Sequence, residues 1–429
     1  MIKKIGKNIL LEIETSLPEI KKIHPMNEID YYGFSAYLAN KLSLQKIPKS
    51  IVGFVHAWMH GDFIYAEEIT HGVTRSNYLV STKREKDFLI SKNIKNTEAV
   101  GLPFIYLDDK DFEVFTRYEN SLLVMPPHSL PASSHKWEEE CYINEILAIN
   151  EQFDIVVFCV HQSCIQKGLW INTLKKYNIP WVTGADASDE NSLFRMKVLF
   201  KSFEYMTTNT FGSHIAYAAY SGCKVSIFGN FCEFKDDDFR NLPSIIQMPF
   251  LLDNLINVFS EKYIKKNFAW LFKKPKEADL EIEWANQMLG VENKVSYTRL
   301  AELLGWFCNE FSPNFSTDKI NFSKNFNKFY NFVEVLKKMN KKYIIYGAGT
   351  VGKTIGKLLD DKFVTFIDIT SSNISKDIVK GEVYSPNNLN NMAYDFIIIS
   401  VLGREKEIKL FLNEKLNIDM KKIIEFDKG

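Results

Sequence analysis

The stretch Met206–Gly229, MTTNTFGSHIAYAAYSGCKVSIFG, limits the fold more than any other part of this chain. It predicts a strand end, a tight turn at Gly212-Ser213, a short helix from Ile215 to Tyr220, and a strand through Val225-Ser226-Ile227-Phe228. A helix start presents free backbone N–H groups and the positive end of the helix dipole, which suit a phosphate. Gly212 lets a ligand approach the backbone, and the Ser213 hydroxyl can cap the helix or bond a phosphate oxygen. An ordinary capped helix between two strands carries the same signature, so the stretch alone does not separate the two.

The same pattern recurs upstream. Ser121–Met125 (SLLVM) predicts a strand ending in Pro126-Pro127-His128-Ser129. Ser133 and Ser134 are placed to cap a helix through KWEEECYINEILAI, whose early glutamates suit its N-terminus. Asp154–Val160 (DIVVFCV) is continuously apolar, as a strand covered on both faces must be, and it ends in His161-Gln162-Ser163. After a helix through Leu169–Tyr177 come Pro180-Trp181-Val182-Thr183 and the polar turn GADASD, where Ser188 or Asp189 can cap a helix carrying Arg195, Lys197 and Lys201. If these strands are parallel neighbours, the clusters PPHS, VHQS, TGADASD and FGSH line one rim. Such a rim offers hydroxyls, imidazoles and a helix start to a phosphate-bearing ligand. The donor-site candidates are His128, Ser129, His161, Gly212, Ser213 and His214; Arg195 is either a phosphate contact or part of a solvated face.

Earlier in the chain, Asp30–Leu44 has helical spacing, and Ile51–Val55 predicts a buried strand. His56, Trp58, His60 and Asp62 follow its carboxyl end, where ligands of open α/β sheets sit. His56, His60 and Asp62 are therefore candidate general bases, although histidines in a turn also serve simply as hydrogen-bond partners. Tyr78-Leu79-Val80-Ser81, the helix Lys83–Lys92 and a strand in Thr97–Tyr106 form a βαβ unit, which implies a parallel sheet.

The segment from His71-Gly72 through YLVSTKREKDFLISKNIKNTEAVGLP resembles the end of the first domain of GT-B glycosyltransferases. The resemblance extends over roughly residues 45–310 as a pattern of strand ends. It implies two facing Rossmann-like domains, with the acceptor on the first and a nucleotide-sugar donor on the second. It also implies catalysis without a bound metal. Sugar-nucleotide epimerases of the same fold share the pattern. Two departures stand out: the glutamate that many members use to hold the ribose is missing, and Pro127-His128 reverses the His-Pro order of bacterial enzymes using CMP-activated acids. A His beside a Pro at a strand end nevertheless resembles those enzymes, and on that resemblance the donor leans to a CMP-ulosonate, otherwise a UDP- or GDP-sugar.

The chain of 429 residues suggests two or three domains, and its 53 basic and 53 acidic residues cancel, which argues against a general nucleic-acid binder. No apolar run approaches a membrane span, and the start MIKKIGKNILLEIETSL lacks the core of a signal peptide, so a cytoplasmic location is expected. Six cysteines without a CxxC pair suit reduced thiols. The helix predicted over Glu261–Lys274 is basic with interleaved aromatics, which suits either an anionic membrane face or packing on the core. Asp236-Asp237-Asp238 is expected to be solvated rather than metal-binding.

From Lys341 the composition shifts. YIIYGAGTVGKTIGKLLDDKFVTFIDIT gives strand, glycine turn, helix and strand, with Gly347, Gly349 and Gly352 spelling GxGxxG and Asp368 lying 21 residues after Gly347. That spacing suits a ribose hydroxyl. The overlapping GxxxxGKT, with Lys353 and Thr354, is disfavoured because too little chain follows for a P-loop sheet. Tyr394–Val401, Arg404–Leu412 and Ile423–Phe426 are expected as strand, helix and strand. This part looks like the small Rossmann-like nucleotide-sugar-binding modules attached to bacterial polysaccharide enzymes.

The expected architecture is α/β: an N-terminal Rossmann-like acceptor domain over residues 1–115, a donor-nucleotide domain with a helical tail over 116–335, and a small Rossmann-like domain over 336–429. The expected activity is glycosyl transfer to a surface-glycan or lipid-linked acceptor, at the inner face of the membrane, without metal or resident cofactor. A homo-oligomer is compatible with this. The alternatives are a nucleotide-sugar epimerase and a non-catalytic nucleotide sensor or scaffold.

Overall fold

The computed structural model describes residues 7–50, 52–111, 117–129, 138–306, 332–369, 383–401 and 404–425. Its strands gather into three parallel sheets. The first contains β1 (Gly53–Phe54), β2 (Tyr78–Val80) and β3 (Thr97–Ala99), in that order. The second contains β4 (Tyr118–Val124), β5 (Ile155–Val160), β6 (Trp181–Thr183), β7 (Phe203–Thr208) and β8 (Lys224–Ile227), ordered β6-β5-β4-β7-β8. The third contains β9 (Tyr343–Tyr346), β10 (Phe363–Ile367), β11 (Val383–Tyr384), β12 (Phe396–Ile399) and β13 (Ile423–Glu425), ordered β11-β10-β9-β12-β13. The α/β class and the Rossmann-like strand orders are as the sequence predicts.

The second sheet is covered on both faces, and its central strands show why they are apolar throughout. Leu122 and Val124 pack with Ile143 and Ile146 of the helix Glu139–Ile149, whereas Leu123 packs with Leu199 and Ile215 on the other face. All six residues of β5 are buried. Each such side chain contributes about 1.5–3 kcal/mol by leaving water. Ser133 and Ser134, the expected caps of the Glu139–Ile149 helix, lie outside the described residues, as does Cys308.

The first sheet is small, and its helix Lys83–Ser91 is well started. The Glu85 carboxylate, 2% exposed, accepts from the Ser81 and Thr82 amides at 2.6 and 3.0 Å, satisfying donors that the helix start leaves open. Of the stretch Thr97–Tyr106, expected as a strand interrupted at Gly101-Leu102-Pro103, only Thr97–Ala99 is a strand. Pro103 instead opens a 3-10 turn, Pro103–Tyr106, because its ring presets a helical φ and it has no N–H for a ladder.

The first and second lobes share one apolar core, in which Phe34, Phe54 and Tyr106 join Met206, Ile215 and Leu289. Helices after residue 250 return to the first lobe: the Leu102 amide donates to the Leu289 carbonyl at 3.0 Å, and Ser50 Oγ donates to the Leu304 carbonyl at 2.7 Å. The acidic linker is tethered, with Asp109 3.0 Å from Lys197 and Asp111 2.6 Å from Lys41. The basic helix spans Glu261–Phe268 and turns its apolar side inward: Ile264, Phe268 and Leu271 are buried, and Trp270 meets Trp284. Those side chains are committed to the core rather than open to a membrane. Among the described residues no helix is long and apolar enough to cross one.

Candidate functional site

In both five-stranded sheets the first strand lies beside the fourth, so the connections leave in opposite directions and a crevice opens at the carboxyl ends. In the second sheet these strands are β4 and β7. They deliver Pro126-Pro127-His128-Ser129 and Gly212-Ser213-His214 to one place, and the neighbouring β5 adds His161. The predicted rim is therefore a spatial cluster. The His128 and His161 rings stack with centroids 4.7 Å apart, and His128 also lies near enough to His214 to act on it electrostatically.

Hydrogen bonds fix the ring states. His161 Nδ1 accepts the Ser163 amide at 3.1 Å, so in the neutral ring its proton sits on Nε2. His128 Nδ1 lies 3.4 Å from the Ser129 carbonyl, which can only accept, so that nitrogen donates. Burial pushes His161 and His214 down to about 3, with the neighbouring His128 adding to the effect. His128 is lowered for the same first reason. These rings are neutral at neutral pH, and Nε2 of His161 and of His214 is buried without a hydrogen-bond partner among the described residues. Leaving such atoms unmade costs about 1–3 kcal/mol each, and at the protonated Nε2 of His161 a bound oxyanion would relieve it. Among the described residues no three His, Cys, Asp or Glu side chains are placed to hold a metal ion.

Ser129 lies beneath the imidazoles, its amide donating to Cys164 Sγ at 3.2 Å and its hydroxyl to Ser163 Oγ at 3.4 Å. Ser213 opens the helix Ser213–Tyr220 but does not cap it; its Oγ accepts the Trp58 amide of the first lobe at 2.9 Å. Gly212 precedes the helix in extended backbone, and a Cβ there would press on His214 Nδ1 at 3.2 Å.

The three candidate bases have different fates. His60 is 8% exposed, its Nε2 is 3.0 Å from the Val258 carbonyl, and Phe211 and Phe259 enclose it, each with centroids at 4.7 Å. Its Nε2 is spent on a carbonyl and its ring on packing, so it is a structural histidine. Asp62 is exposed and accepts from the Tyr263 hydroxyl at 3.0 Å, on a surface away from the imidazoles' hydrogen-bond network. His56 is half-buried at the carboxyl end of β1, its ring 4.8 Å from Tyr31 and 6.2 Å from Tyr32. Burial pushes it down to about 4, with the nearby His71 adding to the effect. A neutral imidazole keeps one ring nitrogen as a base.

Other expectations need correction. Arg195 is neither solvated nor free for phosphate: it is 6% exposed and its guanidinium donates to the Pro18 and Thr183 carbonyls. Neither Ser188 nor Asp189 caps the next helix, whose N-cap position is Asn191; Asp189 braces the Lys21 and Asn191 amides at 2.8 and 3.1 Å. Asp238 is not solvated but buried, accepting the Lys235 amide at 2.8 Å.

The sequence missed Tyr31, Tyr32 and Tyr217. Tyr32 sits at φ 60, a costly conformation for a bulky residue, and its amide donates to the Ala187 carbonyl of the second lobe at 3.0 Å. The following Gly33 has φ 83, and a Cβ there would lie 1.7 Å from the Glu190 carbonyl oxygen. Asp186 faces Tyr32 and His161; burial works against its charge, but Lys22 and the Ser188 amide outweigh that and hold it low. Only contacts between segments some 150 residues apart assemble this wall, and no local pattern carries them.

In the third sheet the crevice lies between β9 and β12. Gly347 has φ 102, and a Cβ on Gly352 would lie 2.0 Å from the Gly347 carbonyl oxygen. Among the described residues nothing lies within 4 Å of the corresponding position at Gly349. Asp368 Oδ2 accepts the Ala348 amide at 3.0 Å, so that oxygen holds the glycine turn itself. The helix begins at Thr350, before Lys353, as the dinucleotide pattern requires rather than the P-loop one.

Residues 339–424 match a family model described as C2185-like, N-terminal, which covers this third sheet and not the rest of the chain. Similar solved structures include a single-site mutant of S. aureus TarM, in complex with fondaparinux, α-GlcNAc-glycerol and UDP. It is 11% identical, with a TM-score of 0.27, covering 56% of this chain and 54% of that one. A second TarM structure gives 11% identity, a TM-score of 0.25, and coverage of 56% and 53%. The chain thus spans about half the length of these structures. No curated protein matches the chain by sequence. The fold class stands on the strand orders above, and the site on its own geometry.

Proposed function

We propose that the protein is a glycosyltransferase that moves a sugar from a nucleotide-activated donor to a glycan or lipid-linked glycan acceptor. The observation that carries this reading is the convergence of His128, His161 and His214 at the crevice between β4 and β7, with two ring nitrogens buried and unpartnered. The donor phosphate accepts from His161 Nε2 and from the free amides that open the Ser213–Tyr220 helix. The His128 and His214 rings complete the enclosure. His56, on the facing lobe, takes the proton from the acceptor hydroxyl as that oxygen attacks the anomeric carbon, and the nucleotide leaves with the bond electrons. The charge on the departing phosphate is met by N–H groups, so the reaction proceeds without a metal. The donor class is a CMP-ulosonate first and a UDP- or GDP-sugar second, and the enzyme works at the cytoplasmic face of the membrane.

Calorimetric titration with CMP, UDP and GDP tests the donor site. Binding that survives EDTA and is lost on His161→Ala and on His128→Ala supports the reading. A second reading, in which only the third sheet binds a nucleotide, is favoured by the open space at Gly349. Loss of binding on Gly349→Val alone would establish that reading and remove the transferase.

A further inference from the structure

Past Phe54 the chain leaves the first sheet, and the backbone of the His56–Trp58 segment finds partners on the other lobe. The Trp58 amide donates to Ser213 Oγ at 2.9 Å, and the His56 carbonyl accepts from the Tyr217 hydroxyl at 3.1 Å. Ser213 and Tyr217 are four residues apart in one helix, hence on the same face. Their hydroxyls therefore grip one loop from one helix face: Ser213 takes the Trp58 N–H, and Tyr217 donates to the His56 carbonyl. The Tyr217 ring is fixed independently, stacked on Phe104 of the first lobe with centroids 4.4 Å apart and an interplanar angle of 15°. The helix that opens at the imidazole cluster thus also holds, by its own side chains, the loop that carries the facing imidazole.

We propose that Tyr217 is a positioning residue for His56: through its hydrogen bond to the His56 carbonyl, beside that of Ser213 to the Trp58 amide, it fixes the His56 loop against the start of the Ser213–Tyr220 helix. This rests on the glycosyl-transfer reading and on His56 as its base. It also gives the Ser213 hydroxyl a second task besides a phosphate contact, because its oxygen already accepts the Trp58 N–H. The bond is made to the backbone on both sides of residue 57, so it sets where the His56 ring stands without touching the ring.

The test uses the full chain with CMP-N-acetylneuraminate, UDP-N-acetylglucosamine and GDP-mannose. It follows nucleotide binding, the rate of nucleotide release from pH 4 to 8, and amide exchange of the 55–60 segment. Tyr217→Phe keeps the ring on Phe104 and removes only the hydroxyl. The expected result is nucleotide affinity within about twofold of the natural chain, turnover lower by about tenfold or more, a displaced acid limb in the pH profile, and faster exchange at 55–60. Ser213→Ala should give the same pattern. An active natural chain whose Tyr217→Phe variant keeps its turnover, pH profile and 55–60 exchange overturns the positioning role alone. Loss of binding, turnover and protection together across the Ser213–Tyr220 helix also overturns it, in favour of a purely structural tyrosine. A natural chain that neither binds nor cleaves any of the three probes removes the glycosyl-transfer reading and the positioning role with it.

Discussion

The sheet of residues 118–227 and the sheet of residues 343–425 arrange their strands identically, third-second-first-fourth-fifth, yet they furnish the central crevice in different ways. In the later sheet the first strand runs into glycines, and the turn is held by Asp368 on the Ala348 amide. In the earlier one the first strand runs into Pro-Pro-His-Ser, the glycine comes after the fourth strand, and three imidazoles fill the space a glycine turn would leave open. Topology fixes where a ligand can sit; the residues at the strand ends decide what it meets there. The earlier crevice is also roofed by another lobe through one shared core, which keeps its histidines neutral by excluding water.

Acid separates the two regions most strongly. All eight histidines precede residue 215, and all seven tryptophans precede residue 307, so the third sheet has neither. Burial lowers His60 from 6.5 to about 4. Between those values the unfolded chain binds a proton that the folded chain refuses, so stability is lost as pH falls from 6.5 to 4 and the loss levels off below. For His60 alone this amounts to about 3 kcal/mol, and His56, His161 and His214 act in the same direction. Urea unfolding followed by tryptophan fluorescence should therefore shift to much lower urea between pH 7.5 and 4.5. The part of the far-UV signal that belongs to the third sheet should move little. Equal shifts in both would break the contrast.

Glycine contacts sharpen it next. Gly352→Ala drives a methyl to within 2.0 Å of a backbone oxygen, whereas Gly349→Ala meets nothing within 4 Å. The first should cost about 3–5 kcal/mol and unfold the third sheet without changing the tryptophan signal. The second should stay within about 0.5 kcal/mol. A Gly352→Ala chain whose two signals are both unchanged would mean that the glycine turn is looser than its contacts indicate.

At the imidazole cluster the expected loss is smaller. A hydrogen bond to a charged group is worth about 1.5–3 kcal/mol, so His161→Ala should weaken nucleotide binding about 10- to 100-fold. His60→Phe, which alters packing outside that cluster, should leave the affinity within about twofold, and calorimetry reads both. Equal losses for the two variants would show that His161 acts through stability rather than contact.

How far the sequence foretold this depends on distance along the chain. The β5 run IVVFCV, the glycine turn at Gly347 and the turn–helix at Gly212 were legible because period, apolarity and φ preferences are local properties. Their meeting at one rim followed from parallel order, which βα alternation implies. What failed was the sorting of similar residues by partner. His56 and His60 are four positions apart, and nothing nearby tells that one meets Val258 and Phe259 while the other meets Tyr31. Arg195 looked like a surface cation because its carbonyl partners, Pro18 and Thr183, lie in other segments. In the Thr97–Tyr106 stretch the break at Gly101-Leu102-Pro103 was legible, but not that Pro103 would start a 3-10 turn in place of more strand.

The smallest effect discriminates between the crevices most finely. In the third sheet one oxygen of Asp368 already holds the Ala348 amide. Asp368→Asn keeps an oxygen able to accept that amide, so the module's stability should change by less than about 1 kcal/mol. A ribose reader needs the carboxylate to accept from a hydroxyl as well, and the amide variant offers an N–H₂ where the second acceptor stood. If the third sheet binds a nucleotide, Asp368→Asn should weaken that binding several-fold at unchanged stability, and His161→Ala should leave it alone. If binding at the third sheet is indifferent to Asp368→Asn, the aspartate serves only the turn. The two crevices would then differ in kind, one built to meet a ligand and the other to hold its own loop.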